Sequence, residues 1–138
     1  MQITKAQVIQ ALKKEPLLKA NEWAHPVRDN CGFIAYFRPD CPVCAVGAVL
    51  RQVVKLKNDE IALEANRITR SAPITSGESI DRLLDQGFYL NALSCYFEDA
   101  VNRVYGRDYE DRKDHNDVRW ETIAFVEKSF PEGVIYED

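Results

Sequence analysis

The four cysteines and two histidines carry most of the reactive chemistry open to this 138-residue chain. Cys41-Pro42-Val43-Cys44 sets two thiols at a spacing that can close a small disulfide. A thiol at a helix N-terminus is drawn toward the thiolate by the unpaired N–H groups there. In thiol–disulfide exchange Cys41 would be the nucleophile and Cys44 the resolving thiol. The same pair could form half of a zinc site, completed by Cys31, His25, Cys95 or His115. No second C-x-x-C or C-x-x-H pair accompanies it. A third chemistry needs a cysteine nucleophile, a histidine base and an orienting amide or carboxylate. Its ingredients are Cys44 or Cys41, His25 or His115, and Asn116 or Asp117. His115 lies in a highly charged stretch and is expected to be exposed. Set against all three, a cysteine followed by Ala45, Gly47 and Ala48 suits close helix packing, with Cys44 as a small apolar core residue and Cys41 incidental. That packing role is the favoured one, so neither a metal nor any other cofactor is expected.

The elements that must position these residues begin with Cys31–Arg38, an aromatic run that predicts a strand. Pro39-Asp40-Cys41-Pro42 breaks it, and Val43 to about Leu56 suits a buried helix. Locally, Phe33 through Cys44 resembles the active-site segment of glutaredoxins and thioredoxins: strand, tight turn, C-P-x-C, helix. The resemblance implies a later proline facing the thiols and opening a hairpin. Ala72-Pro73-Ile74 is the one candidate, and a helix start follows it instead. The oxidoreductase role therefore stands as an alternative.

Elsewhere, Thr4 with Gln7 forms a capping-box pattern, and Val8, Ile9 and Leu12 continue it as an amphipathic helix over 4–15. Asp59 is positioned to cap a helix running to about Thr69. Thr75 with Glu78 repeats the capping pattern ahead of Ile80, Leu83 and Leu84, with Gly87 as the stop. Asn91 opens a helix with Leu93, Phe97, Ala100, Val101 and Val104 on one side, closed by Gly106. Asp117 is expected to cap a last helix carrying Trp120, Ile123, Ala124, Val126 and Phe130. Val134-Ile135-Tyr136 predicts a short edge strand. The sum is mainly α, five or six short helices with a minor β component, in one compact α+β domain spanning 1–138.

Composition narrows the function classes. Net charge is −4 and the sequence pI about 5.2, which argues against binding nucleic acid by bulk charge. The longest apolar run, Cys44 to Leu50, is far short of a membrane span. With no apolar leader after Met1, the chain is expected in the cytoplasm. Charge is uneven along the sequence. Residues 1–70 hold 11 basic and 7 acidic side chains, whereas 98–138 hold 6 and 12. Asp108, Glu110, Asp111, Asp114 and Asp117 are thus candidates for an acidic face that docks on a basic partner. Phe88, Tyr89, Tyr96 and Tyr105 offer aromatic surface on which a homo-oligomer could form.

Four segments carry a wider resemblance. These are Asn21-Glu22-Trp23; Cys44-Ala45-Val46-Gly47-Ala48-Val49-Leu50-Arg51; Tyr89 to Ser94 with Phe97-Glu98; and Phe125-Val126-Glu127 with Phe130-Pro131. Together they resemble small bacteriophage and prophage proteins that share a Trp, a Cys-Ala-x-Gly-Ala helix start and an Ala-Leu-Ser-x-x-Phe-Glu helix. Asn116-Asp117 is similar to an Asn-Asp pair opening the last helix of such proteins. That family has no established activity. The resemblance implies a non-enzymatic accessory protein in the bacterial cytoplasm that binds a host protein, such as a defence or regulatory factor.

Overall fold

The computed structural model describes residues 1–19, 42–70, 79–105 and 114–138. Among them lie β1 (Gln2–Thr4), α1 (Lys5–Lys14), α2 (Ala45–Gln52), α3 (Asn58–Arg70), α4 (Ile80–Asp85), α5 (Tyr89–Tyr105), α6 (Asn116–Ser129) and β2 (Val134–Glu137). The fold is mainly α with a small two-stranded sheet, as the sequence predicts. The predicted strand at Cys31–Arg38 and the Thr75–Glu78 capping pair lie outside the described residues.

α2 is central. Ala45 through Leu50 are all buried, and the helix packs against α1, α3 and α5. A helix that is apolar on every side has to sit inside the protein. Its small residues permit neighbours on each face. It is shorter than the predicted helix to Leu56. Val53 caps it and Lys55 turns the chain out at φ 64°, an unusual conformation for a residue with a side chain.

α1 and α6 lie antiparallel and cap each other. At one end the Arg119 guanidinium of α6 donates to the Leu12 and Glu15 carbonyls, 2.5 and 2.6 Å away, at the C-terminus of α1. At the other end the Lys5 ammonium of α1 donates to the Glu127 carbonyl at 2.8 Å, in the last turn of α6, and pairs with Glu132. Each cation thus meets the negative end of the opposite helix, where backbone carbonyls lack partners.

The sheet closes the same end. β1 runs antiparallel to β2 with Ile3 opposite Tyr136, and a bulge falls between Ile3 and Thr4. Ile3 and Ile135 point into the core. β1 was invisible as a strand because three residues ahead of a capping box carry no alternation to read.

Caps explain where the remaining helices begin and end. Thr4 and Gln7 form the predicted capping box on α1. α3 begins earlier than expected. The Lys57 carbonyl accepts from the Glu60 and Ile61 amides, and the Glu60 side chain reaches back to the Lys57 amide. Asp59 therefore falls in the first turn rather than at the cap. Ser79 caps α4 through the Arg82 amide. Gly87, at φ 80°, closes α4 as expected: its amide returns to Leu84 O and that of Phe88 to Leu83 O, a Schellman arrangement. α5 starts at Tyr89, so Asn91 is a buried residue of its first turn and not its cap.

Arg119→Met is expected to lower unfolding free energy by about 3 kcal/mol, because two buried carbonyls and a carboxylate lose their donor together. Arg119→Lys should recover only part of that, since one ammonium cannot span the same acceptors. Chemical denaturation of the three proteins measures both differences.

Candidate functional site: the junction before the last helix

Residues 114–119 bring four of the sequence-predicted positions together: Asp114, His115, Asn116 and Asp117. Asp114 accepts from the Leu18 amide at 2.9 Å and from the Arg119 guanidinium at 3.0 and 3.3 Å. Asn116 accepts from Arg119 Nε at 3.1 Å. Asp117 receives a long hydrogen bond, 3.4 Å, from the Tyr105 hydroxyl. Asp114 is therefore tied into the fold as well as being exposed, while Asp117 stands exposed in the first turn of α6. Asp108, Glu110 and Asp111 lie outside the described residues.

His115, not Asp117, occupies the N-cap position of α6, and its side chain forms no cap hydrogen bond. The expectation of an exposed histidine is wrong: only 1% of it is accessible. The backbone imposes this. The His115 amide donates to Leu18 O at 2.6 Å, which draws the residue inward, and its ring stacks on Tyr105 with centroids 4.7 Å apart.

Cys44 is buried at the N-cap of α2, where its sulfur accepts from the Gly47 amide at 3.4 Å. The sulfur thus acts as a helix cap, a role that hydroxyl side chains usually fill. One segment joins it to the histidine. The Lys19 amide donates to Val43 O, beside Cys44, and Leu18 O accepts from His115. Val43 and His115 are thereby hydrogen-bonded to neighbouring residues of one segment, a connection that sequence spacing does not reveal. Cys31, Cys41 and His25 lie outside the described residues, so the dithiol and the four-ligand set have no described geometry. Among the described residues, no group of three or more His, Cys, Asp or Glu side chains could hold a metal ion.

Cys95 is half-buried on α5. Burial, with the nearby Asp99 and Glu98 carboxylates, pushes its thiol up to about 12. That environment disfavours a nucleophile. Asn91, Ser94 and Glu98 share a helical spacing on α5 and are all buried, so this helix carries a polar stripe beside its apolar Leu93–Phe97 face.

Two features escape a sequence reading. Arg119 looks like a surface charge, yet it shares the inner face of α6 with Val118, Thr122 and Val126. Counting its helical position against those neighbours would have marked it. Trp120 points out instead of in. It lies two positions, roughly 200°, from Val118 on the helical wheel, and 55% of it is exposed. Ala124 lies beside it on the outer face and is likewise exposed, contrary to the expectation that both join the apolar set.

No protein-family model, no curated protein and no solved structure matches this chain.

Cys95 is expected to alkylate slowly near neutral pH, with a thiolate fraction about a thousandfold below that of a thiol at the ordinary value of 9.0. Its rate should rise about tenfold per pH unit through the alkaline range. Iodoacetamide labelling resolved by peptide mapping measures this, and a fast, pH-flat rate would contradict it.

Proposed function

We propose that the chain is a non-enzymatic binding protein of the phage-accessory type its motifs resemble, acting in the bacterial cytoplasm by docking on a basic surface of a host protein. What carries this role is Trp120, an exposed tryptophan on a helix face beside Asp117, Ala124 and Glu127. Tryptophans are enriched among the residues that dominate protein interfaces, and neighbouring carboxylates steer a cationic partner toward them.

Charge pairing narrows the docking face to this stripe. Glu132 pairs with Lys5, Asp138 with Arg67, Glu121 with Arg103 and Asp114 with Arg119. Four of the twelve acidic side chains after residue 97 are thus paired, two of them with cations from the first half of the chain. Asp117 and Glu127 form no ion pair among the described residues, and Asp108, Glu110 and Asp111 precede the same helix in sequence. No helix among the described residues is long and apolar enough to cross a membrane.

The test is affinity capture from bacterial lysate at low and high salt, with wild type and Trp120→Ala compared. One specific protein should be retained by wild type, released by salt, and lost in the variant, whose affinity should fall by about thirtyfold or more. Equal capture by both proteins would overturn the role given to this face.

A further inference from the structure

A groove of about 340 Å³ runs between α1 and α2, lined by Ala6, Gln7, Gln10, Lys14, Gln52 and Val53. It lies on helices other than the one bearing Trp120. Its volume falls at the small end of the usual range for ligand pockets, about 300–1,000 Å³. Two of its amides are held in fixed and opposite orientations. Gln7 must turn its carbonyl oxygen to the Thr4 amide, 2.9 Å away, because an N–H can only donate. Its NH₂ group is left available to the groove. Gln52 must turn its NH₂ to the buried Glu15 carboxylate, 3.2 Å away, which leaves its carbonyl oxygen available. Gln10 supplies a donor and an acceptor with no partner among the described residues.

The charge of the groove is one-sided. Lys14 lines it, and Lys13 and Lys55 stand one and two residues from lining positions. None of the three forms an ion pair among the described residues. The nearest acidic side chain in sequence, Glu15, is engaged by Arg51 at 3.4 Å and by Gln52. A pinned donor, a pinned acceptor and the unneutralised Lys14, the one charged side chain in the lining, suit a ligand that offers backbone N–H and C=O groups and negative charge. A helical ligand satisfies its own backbone, so the amides would be wasted on it. An extended chain leaves those groups free.

We propose that the α1–α2 groove binds a short, extended, acidic peptide segment of a partner protein. The site is opposite in sign to the Trp120 face, so the two surfaces would engage different partners or different parts of one.

The experiment titrates the full chain into a fluorescein-labelled peptide of alternating Glu and Leu, followed by anisotropy, with a Lys–Leu peptide as control. Amide shift mapping then locates the bound peptide. The Glu–Leu peptide should bind saturably, with shifts centred on Ala6–Lys14 and Gln52–Val53. Lys14→Glu and Gln10→Ala, both at exposed helical positions that tolerate substitution, should each weaken binding, the former by about tenfold or more. Trp120→Ala should leave it unchanged, which separates this site from the docking face. Equal binding of the Lys–Leu peptide, shifts centred on α6, an unchanged affinity in Lys14→Glu, self-association of the chain in place of peptide binding, or no saturation would each overturn the proposal.

Discussion

Antiparallel α1 and α6 are held by two cations, each donating to the carbonyl end of the other helix. Arg119 takes Leu12 O and Glu15 O, and Lys5 takes Glu127 O. Helix C-termini that face protein rather than water need such donors, because their last carbonyls have no partner within the helix. The pairing also fixes the flanking segments. Arg119 holds Asp114, Asp114 holds the Leu18 amide, and Leu18 holds His115. Lys5 sits where β1 ends, so the sheet register and the end of α6 are set together. With these two helices placed, α2 is enclosed by its neighbours, and Val43, just ahead of it, is tied to Lys19 beside the same junction.

The uneven charge of the sequence acquires a structural meaning from this. A basic first half and an acidic last third look like a separated dipole. In the fold, Lys5 meets Glu132 where β1 lies beside β2, and Arg67 of α3 meets Asp138, so part of that polarity is neutralised between segments distant in sequence. The exposed Arg67–Asp138 pair contributes little by itself, up to about 1 kcal/mol, so its interest lies in what it removes from the surface. What the pairs leave on the outer face of α6 is a small patch, with Trp120 at its middle. The lysines near the α1–α2 groove remain on the opposite account, as unneutralised positive charge.

Much of the helical frame was legible. The Thr4–Gln7 box, the Gly87 stop and the short Val134 strand all rest on local chemistry, which sequence encodes directly. The failures share a cause. Asp59, Asn91 and Asp117 are good caps in isolation, but backbone carbonyls or tertiary contacts at Lys57, Phe88 and His115 set the helix starts instead. His115 was read as exposed from its charged neighbours, though burial depends on the Leu18 contact, about a hundred residues away in sequence. Arg119 carries no local signal of its role, because charge usually means solvent, and only its position on the same helix face as Val118, Thr122 and Val126 shows otherwise. At the cysteine element, Cys44 as a packed residue matches the sequence reading, and its capping of α2 is a contact only three residues long; the ties of Val43 to residue 19 and of His115 to residue 18 are long-range contacts that spacing does not carry.

Two binding surfaces of opposite sign would need a scaffold that does not shift between them, and α1 with α6 supplies it: α1 forms one wall of the groove and α6 carries the tryptophan. Native-state hydrogen exchange on wild type and Arg119→Met tests this directly. If Arg119 is the donor that joins the two helices, the variant should lose protection in the last turn of α1 and at the His115 amide, while the α3 amides keep theirs relative to global unfolding. Protection unchanged at Glu15 and His115, or lost evenly across every helix, would contradict it.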